Sequence, residues 1–174
     1  ALVVGLRREQ ERATRPEGIG RLAVRDMTAY QGHGSVATPH GVLITWALMM
    51  EGGFQVNSQG CRFSNEHLGY SEQCVPVIAQ PGGVAWNVYD ERLHRLGMEF
   101  EDYRGAHGLG AIRSAGTIAG LASACALPIE ALAATFAEVS QYAVGTARDP
   151  FGRDFTGKPA LAPPYYAVKV TGAL

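Results

Sequence analysis

Glycine and proline divide the chain into short segments, and this spacing constrains the fold more than any other feature. The 174 residues include 22 glycines and 9 prolines. Turn-forming residues at Pro16 and Gly18, at 52–53 and at 81–83 each end an apolar or amphipathic run. The strand-like and helix-like runs between them do not alternate in the strict βαβ order of a parallel sheet. The sequence therefore predicts an α+β fold.

Hydrophobic spacing predicts where the individual elements lie. Leu132, Phe136, Val139 and Ala143 share one face of a helix. In the first half of the chain we predict a helix ending at Pro16, a strand at 21–30, a loop at 31–41, and an apolar segment at 42–53 that begins as a strand and becomes a short helix. A two-stranded hairpin around 57–60 and a helix at 70–79 follow. In the second half we predict a buried strand running into a helix start at Asp90, a loop at 97–110, two helices within 111–145 hinged at Pro128, and a loop at 146–162.

Length and chain ends suggest one domain taken from something larger. A chain of 174 residues suits a single domain, which we place over 1–174 with its core over about 20–174. The sequence starts without methionine and stops within a strand-like run that begins at 163. We therefore expect a fragment, and we expect the final strand to find its pairing partners beyond the C-terminus.

Composition narrows the class of partner. Fifteen basic and sixteen acidic residues give a formal net charge of -1, so no clustered basic excess indicates a nucleic-acid or anionic membrane surface. The apolar stretch Gly41–Met50 is shorter than the roughly 20 residues of a membrane span. Three cysteines without CxxC spacing indicate buried free thiols in a reducing cytoplasm. We expect a cytoplasmic protein without a membrane or nucleic-acid partner.

Common site motifs are absent from the sequence. There is no phosphate-binding GxGxxG or GxxxxGK[ST] loop and no GxSxG nucleophile turn. His33 and His40 lie seven residues apart, which is a weak metal signal, and two polar loop histidines are the favoured interpretation. His94 and His107 stand among charged residues and receive no role. We therefore expect no metal site.

Two groups of residues remain as candidates for chemistry. In the first, the imidazole of His33 and the hydroxyls of Ser35 and Thr45 suit the binding of a carbonyl or carboxylate.

The second group is the stretch CRFSNEHLGY, residues 61–70. Arg62 and Glu66 are interpreted first as an ion pair, and Asn65 as a helix cap, while Glu66 is also kept as a candidate substrate ligand. Tyr70 is either a proton-transferring phenol facing a cleft or an amphipathic core tyrosine.

The order of several motifs resembles a known family. A His-Gly loop is followed by LIT, then by EGGFQVNSQGCRFSNE, AWNVYDE and PPYYAVKVTGAL. This order, over about 30–174, resembles the FAD-dependent fumarate reductase/succinate dehydrogenase-like flavoproteins, which include 3-ketosteroid dehydrogenases and tricarballylate dehydrogenase-like enzymes. The resemblance implies the substrate-capping domain that is inserted in the FAD-binding domain. It also implies that FAD is held elsewhere, with no cofactor-binding residue within this fragment.

The resemblance assigns some roles and withholds others. It implies that His33 binds a substrate carboxylate and that Thr45 binds substrate. Trp46, Met49 and Tyr70 stand where fumarate reductases have the glutamate and two arginines of their proton relay, and Trp46 and Met49 are expected to make the pocket more apolar. A tyrosine at position 70 resembles the ketosteroid dehydrogenase branch, where phenols act as a base or polarise a carbonyl.

These implications give the predicted function. We expect a fragment of an FAD-dependent dehydrogenase or reductase of a small organic substrate other than fumarate, inactive when isolated. Tyr70 would be catalytic, and His33, Ser35, Thr45 and Glu66 would bind substrate. The partners would be the FAD-binding domain of the same chain and the small-molecule substrate. The alternative is a non-catalytic binding or structural domain built on the same cap fold.

Overall fold

A computed structural model describes residues 33–37 and 41–173, with only the backbone of His33, Gly34, Tyr70 and Ala173. The predicted N-terminal helix, the strand at 21–30 and His40 lie outside the described residues. The described strands are β1 (His33–Val36), β2 (Phe54–Val56), β3 (Val84–Asp90), β4 (Ile112–Ala115) and β5 (Tyr165–Ala173). The helices are α1 (Ala47–Met50), α2 (Tyr70–Ile78), α3 (Glu91–Gly97), α4 (Glu101–Gly108), α5 (Ile118–Cys125) and α6 (Ile129–Ala143), with short 3-10 turns at Glu66–Leu68 and Pro81–Gly83.

The five strands form one antiparallel sheet in which β5 is central. β3 runs along one edge of β5, and β1 and β4 share the other edge, while β2 pairs with the far side of β3. The α+β prediction is confirmed by this sheet and its helices. The prediction that the final strand pairs beyond the C-terminus is wrong, because β5 is already bonded on both edges within the chain.

Helices cover both faces of the sheet. Side chains alternate along β3, so Trp86 and Val88 face one side while Ala85 and Tyr89 face the other. The first side packs against α5 and α6, and Phe136 of α6 makes an edge-to-face contact with Phe54 at 5.1 Å between ring centroids. The second side, to which Val36 of β1 also belongs, packs against α1, α2, α3 and α4. The two faces each bury a hydrophobic cluster.

Local patterns predicted several elements correctly. The helix at 70–79, the strand running into Asp90 and the two helices meeting at Pro128 are confirmed as α2, β3 with α3, and α5 with α6. Asp90 accepts a hydrogen bond from the backbone N–H of Leu93, which caps α3. Pro128 precedes α6, where its missing N–H costs nothing. Strong caps and breakers thus fixed these boundaries.

Other predictions were wrong where tertiary contacts decide the conformation. The segment 97–110 contains α4 instead of a loop, because Tyr103 and Ala106 recur on one face that the core buries. Residues 112–115 form β4 instead of the start of a helix, and 33–36 form β1 instead of a loop, because both pair with β5. The turn at 57–60 forms, but β2 pairs with β3 and the hairpin's second strand is missing.

None of the three cysteines forms a disulfide; Cys74 and Cys125 are buried as predicted, and the prediction of burial is wrong for Cys61, which is exposed. Within the described part of the chain, no helix has the length and apolar character needed to cross a membrane.

A chain of hydrogen bonds links the core to His94, a residue without a role in the sequence prediction. The hydroxyls of Tyr89 and Tyr103 lie 2.8 Å apart, and the Tyr103 hydroxyl lies 2.7 Å from Nδ1 of His94. The His94 ring also stacks on Tyr166, with centroids 4.3 Å apart. Burial lowers the pKa of His94, helped by His107 and Arg95 and opposed by Glu91. The fold therefore favours the neutral imidazole.

We expect the free energy of unfolding to fall as the pH drops below the ordinary histidine pKa of about 6.5. The unfolded chain binds the His94 proton at a higher pH than the folded chain does, so acid favours unfolding. Urea denaturation at pH 7.5 and 5.5 measures this loss. The loss should shrink in His94→Asn, whose amide oxygen can still accept from Tyr103. It should mostly persist in His107→Asn, because burial, the largest cause, is unchanged when this exposed ring is replaced. Equal losses in all three proteins would contradict the assignment.

Candidate functional site

The predicted site residues lie on segments that meet near the start of α2. His33 and Ser35 belong to β1, Thr45 precedes α1, Glu66 begins the 3-10 turn, and Tyr70 is the first residue of α2. Because α2 packs on β1 and on the end of β5, these segments are neighbours in space. The side chains of His33 and Tyr70 lie outside the described residues, so their roles stay predictions.

A glycine allows the close packing of α2 on the sheet. Gly172 of β5 pairs with Gly34 of β1. A Cβ atom at Gly172 would lie 2.5 Å from Cγ1 of Ile78 and 2.8 Å from Sγ of Cys74, which no side chain tolerates. The missing side chain therefore brings α2 against the strand pair that carries His33.

A narrow crevice marks the place where these segments meet. It has no room for a water molecule. Three of the five predicted site residues have a neighbour in its wall: Trp46 follows Thr45, Gln73 lies one turn after Tyr70, and Gly172 pairs beside His33. The described residues of the wall are Trp46, Gln55, Gln73, Cys74, Val77, Thr171 and Gly172. The crevice therefore lies close, along the chain or across the strand pair, to three predicted positions.

The two hydroxyl residues differ in accessibility. Ser35 is buried in β1, at a single bridge to Leu43. Thr45 is partly buried, and its Oγ1 lies 3.4 Å from the backbone nitrogen of Ala47, which donates to it at the start of α1. Substrate binding by either residue stays a prediction.

Glu66 is engaged within the protein. Its side chain is fully buried, and its carboxylate accepts from Arg62 at 2.9 and 2.8 Å and from Arg153 at 3.1 Å. The backbone N–H of Gln55 donates to the same carboxylate at 2.9 Å. A substrate would have to displace one of these donors to reach Glu66. Substrate binding by Glu66 stays a prediction, while the predicted pairing with Arg62 is confirmed.

The capping role predicted for Asn65 is also confirmed. Its Oδ1 accepts from the backbone N–H of His67 at 2.9 Å, at the start of the 3-10 turn. The indole Nε1 of Trp46 donates to the carbonyl of Glu66 at 3.1 Å. Two hydrogen bonds, one from within the turn and one from Trp46, therefore fix the 3-10 turn that precedes Tyr70.

Sequence reasoning missed two partners of this cluster, Asp149 and Arg153. Asp149 accepts from Arg62 at 2.6 Å, and Arg153 donates to the carbonyls of Met49 and Gly53, each at 2.7 Å. Both residues come from the segment predicted as a loop, and that segment has no helix or strand. No local pattern signals these contacts, because Arg62 and Asp149 are 87 positions apart.

Charge and burial act in opposite directions on the two arginines. Burial lowers the pKa of Arg62, but the hydrogen bonds and charges of Glu66 and Asp149 outweigh it and raise that pKa overall. Burial also lowers the pKa of Arg153, and Glu66 only partly opposes it. Nε of Arg153 has no hydrogen-bond partner, and its guanidinium lies over the Phe155 ring at 4.2 Å. The carboxylate of Glu66 is therefore the main group that offsets the desolvation of the buried Arg153 charge.

The expectation that Met49 makes the pocket more apolar is wrong. Met49 is fully buried and belongs to the core beneath β1 and α1, and it is not in the crevice wall. Trp46 does line the crevice. In the described ranges, no group of three or more His, Cys, Asp or Glu side chains is arranged to hold a metal ion.

We expect Glu66→Gln to destabilise the fold by about 3–5 kcal/mol, because it leaves two buried arginines without their shared carboxylate. Urea denaturation monitored by tryptophan fluorescence measures the change. The matched control is Glu51→Gln, which removes a partly exposed pair with Lys158 and should cost at most about 1 kcal/mol. Similar costs for the two variants would show that the buried cluster contributes no more than a surface pair.

Comparison with known proteins agrees with the features just described. The model of the FAD binding domain family matches residues 18–173. The chain is 27% identical over 148 residues to the probable fumarate reductase Ifc3 of Shewanella frigidimarina, covering 85% of this chain and 25% of that protein. It is 26% identical over 149 residues to a fumarate reductase (cytochrome) of the same organism, covering 86% and 26%.

Solved structures show the same fold. The open conformation of a flavocytochrome c3 fumarate reductase superimposes with a TM-score of 0.71 at 27% identity, over 82% of this chain and 25% of that one. A 3-ketosteroid delta1-dehydrogenase from Sterolibacterium denitrificans, with a TM-score of 0.60 and 23% identity, covers 83% and 33% and supports the fold alone. The chain spans about a quarter of the length of its fumarate reductase relatives. It belongs to the FAD binding domain family, among the fumarate reductase-like flavoproteins.

Proposed function

We propose that this chain is the substrate-capping part of an FAD-dependent oxidoreductase that acts on a small organic substrate other than fumarate. One observation supports the proposal: the crevice beside α2 has in its wall Trp46, Gln73 and Gly172, which lie next to Thr45, one turn after Tyr70 and beside the strand partner of His33. In this proposal the FAD-binding domain of the same protein and the small-molecule substrate are the partners of that surface.

The fit of FAD to the described residues supports a covering role. The crevice beside Thr45 and Tyr70 excludes even water, so it does not enclose a flavin ring. A larger cavity of about 330 Å³ lies in the segment 142–156, and its mixed polar and apolar wall includes Asp149 and Arg153 of the Glu66 cluster. In this proposal FAD is held by other parts of the protein, and this chain meets it across a surface.

The proposed mechanism assigns the proton steps to this chain. Bound FAD supplies hydride acceptance or donation in this family of reactions. Tyr70 exchanges a proton with the substrate, as a phenol that donates to a developing oxyanion or accepts a proton when deprotonated. His33 and Thr45 hold a carbonyl or carboxylate of the substrate, and the closed surface excludes water.

The residues around the crevice support a substrate other than fumarate. Trp46 places an indole, hydrogen-bonded to the Glu66 carbonyl, where the resemblance to fumarate reductases implies a glutamate. Met49 is buried, so the position at which those enzymes have an arginine points into the core. Tyr70 replaces the second arginine. A proton relay of charged side chains therefore has no members at these three positions.

We expect Tyr70→Phe in the complete flavoprotein to slow flavin reduction by substrate about 100-fold or more, with unchanged FAD content, because the proton donor or acceptor is lost. Stopped-flow bleaching of the flavin, with 4-androstene-3,17-dione, tricarballylate and lactate as probes, identifies the substrate class and gives the rate.

The matched control is Tyr142→Phe, a partly exposed phenol of α6 on the opposite side of the sheet, which should leave the rate unchanged. Equal rates for Tyr70→Phe and the parent protein would rule out the catalytic assignment. A complete protein that purifies without bound flavin would favour the non-catalytic alternative.

A further inference from the structure

We propose that Gln73 is a positioning residue that fixes the start of α2, and with it Tyr70, by a ladder of buried amides across the sheet. The inference rests on the proposed function only in assigning Tyr70 to the reaction. Gln73 lies three residues after Tyr70, one helical turn along α2.

The start of α2 needs an external anchor. Gly69 separates the 3-10 turn from α2 with φ of 115°, so the two helical segments do not continue one another. No side chain caps α2 at Gly69. Pro76 lies inside the helix and removes one of its backbone hydrogen bonds. The backbone N–H of Gln73 bonds to the carbonyl of Gly69 at 3.1 Å and closes the first turn, but the bond missing at Pro76 ties that turn less firmly to the rest of α2.

A row of amide side chains supplies that anchor. Nε2 of Gln73 donates to Oε1 of Gln55 at 2.8 Å and to the hydroxyl of Ser64. Nε2 of Gln55 donates in turn to Oδ1 of Asn87 at 2.7 Å. Gln55 and Asn87 are direct cross-strand partners of β2 and β3. The amide ladder, Asn87–Gln55–Gln73–Ser64, thus connects two strands of the sheet to the first turn of α2.

Burial makes the amide ladder selective for one position of the helix. Gln73, Gln55 and Asn87 are exposed by only 2%, 1% and 0%. A buried amide that loses its hydrogen-bond partner is destabilised by its full desolvation free energy. A sliding or rotation of α2 that separates Gln73 from Gln55 is therefore disfavoured. Apolar contacts of the neighbouring Val77 are less directional and tolerate small shifts. The amide hydrogen bonds therefore fix the position of α2 along the sheet more narrowly than the apolar contacts do.

At the Asn87 end of the ladder, one buried amide nitrogen lacks a hydrogen-bond partner. Nδ2 of Asn87 is buried and has no hydrogen-bond partner. If the amide oxygen and nitrogen of both Asn87 and Gln55 exchange places by a 180° flip, Nδ2 of Asn87 donates to Oε1 of Gln55, and Nε2 of Gln55 donates to the side chain at position 73. The Ser64 hydroxyl can donate to that side chain as well. The ladder therefore accommodates an acceptor at position 73 as well as a donor. Because burial favours the neutral form of a carboxyl, Gln73→Glu keeps a donor and an acceptor at this position and provides the conservative variant.

The test follows Tyr70 directly in the complete flavoprotein. Tyrosine is replaced by 3-fluorotyrosine, and the ¹⁹F signal of Tyr70 is assigned by its loss in Tyr70→Phe. We expect Gln73→Leu to shift or broaden this signal and Gln73→Glu to leave it near its original position. The maximal rate of flavin reduction by the substrate found among the three probes should fall about 10- to 100-fold in Gln73→Leu, while the half-saturating substrate concentration changes little.

The matched control is Gln80→Leu, just beyond the C-terminal end of the same helix. Gln80 donates to the carbonyl of Pro76 at 3.0 Å and accepts from Asn57 at 3.1 Å, so its loss also removes partly buried amide bonds, one of them to α2. It should leave the Tyr70 signal and the rate unchanged. If Gln73→Leu does not fold, Ser64→Ala takes its place in the test. This variant removes the hydroxyl that accepts from Gln73, and we expect it to shift the Tyr70 signal.

The outcomes separate this inference from the proposed function. An unmoved Tyr70 signal in a folded Gln73→Leu protein overturns the positioning role, and so does an equal shift in Gln80→Leu or in Gln73→Glu. A shifted signal with an unchanged rate supports the positioning role and instead removes Tyr70 from the chemistry. A rate lost in Tyr70→Phe but retained in Gln73→Leu with an unmoved signal leaves the proposed function standing without this inference.

Discussion

The buried carboxylate of Glu66 is the interaction on which the rest of the structure depends. It receives Arg62, Arg153 and the backbone N–H of Gln55, and therefore joins the turn before α2, strand β2 and the irregular segment that follows α6. Each donor is itself buried or held in place. A carboxylate surrounded in this way offsets the desolvation of two arginines, which would otherwise oppose folding.

This charge cluster explains how a long irregular segment becomes part of the fold. Residues 146–162 form no helix or strand, yet Arg153 and Phe155 are buried in them. Arg153 also donates to the carbonyl of Met49, in the last turn of α1, and to that of Gly53, just after α1. The segment is thus fixed by directional bonds to backbone acceptors, and the same bonds satisfy carbonyl groups at the end of a four-residue helix.

The sequence predicted what depends on neighbouring residues and missed what depends on distant ones. Asp90, Pro128 and the glycines near 81–83 set element boundaries correctly because caps and breakers act within a few residues. Strands β1 and β4 were missed because their short, partly polar segments become strands only by pairing with β5.

The candidate site divides in the same way. The pairing of Arg62 with Glu66 and the cap at Asn65 span at most four residues, and both were predicted. Asp149, Arg153 and the amides at 55, 73 and 87 come together only in the folded chain. Met49 was assigned to a pocket because the residue type at that position was compared with relatives, whereas its burial depends on how α1 packs.

The central position of β5 has a consequence for how the protein is made. Translation delivers β1, β2, β3 and β4 before the strand that three of them pair with, so their edges stay open while some 50 further residues, including α5 and α6, are being added between β4 and β5. Contacts this distant in sequence also slow folding. The nascent chain therefore presents unpaired strands and apolar helix faces until β5 emerges from the ribosome, and aggregation is most favoured during that interval.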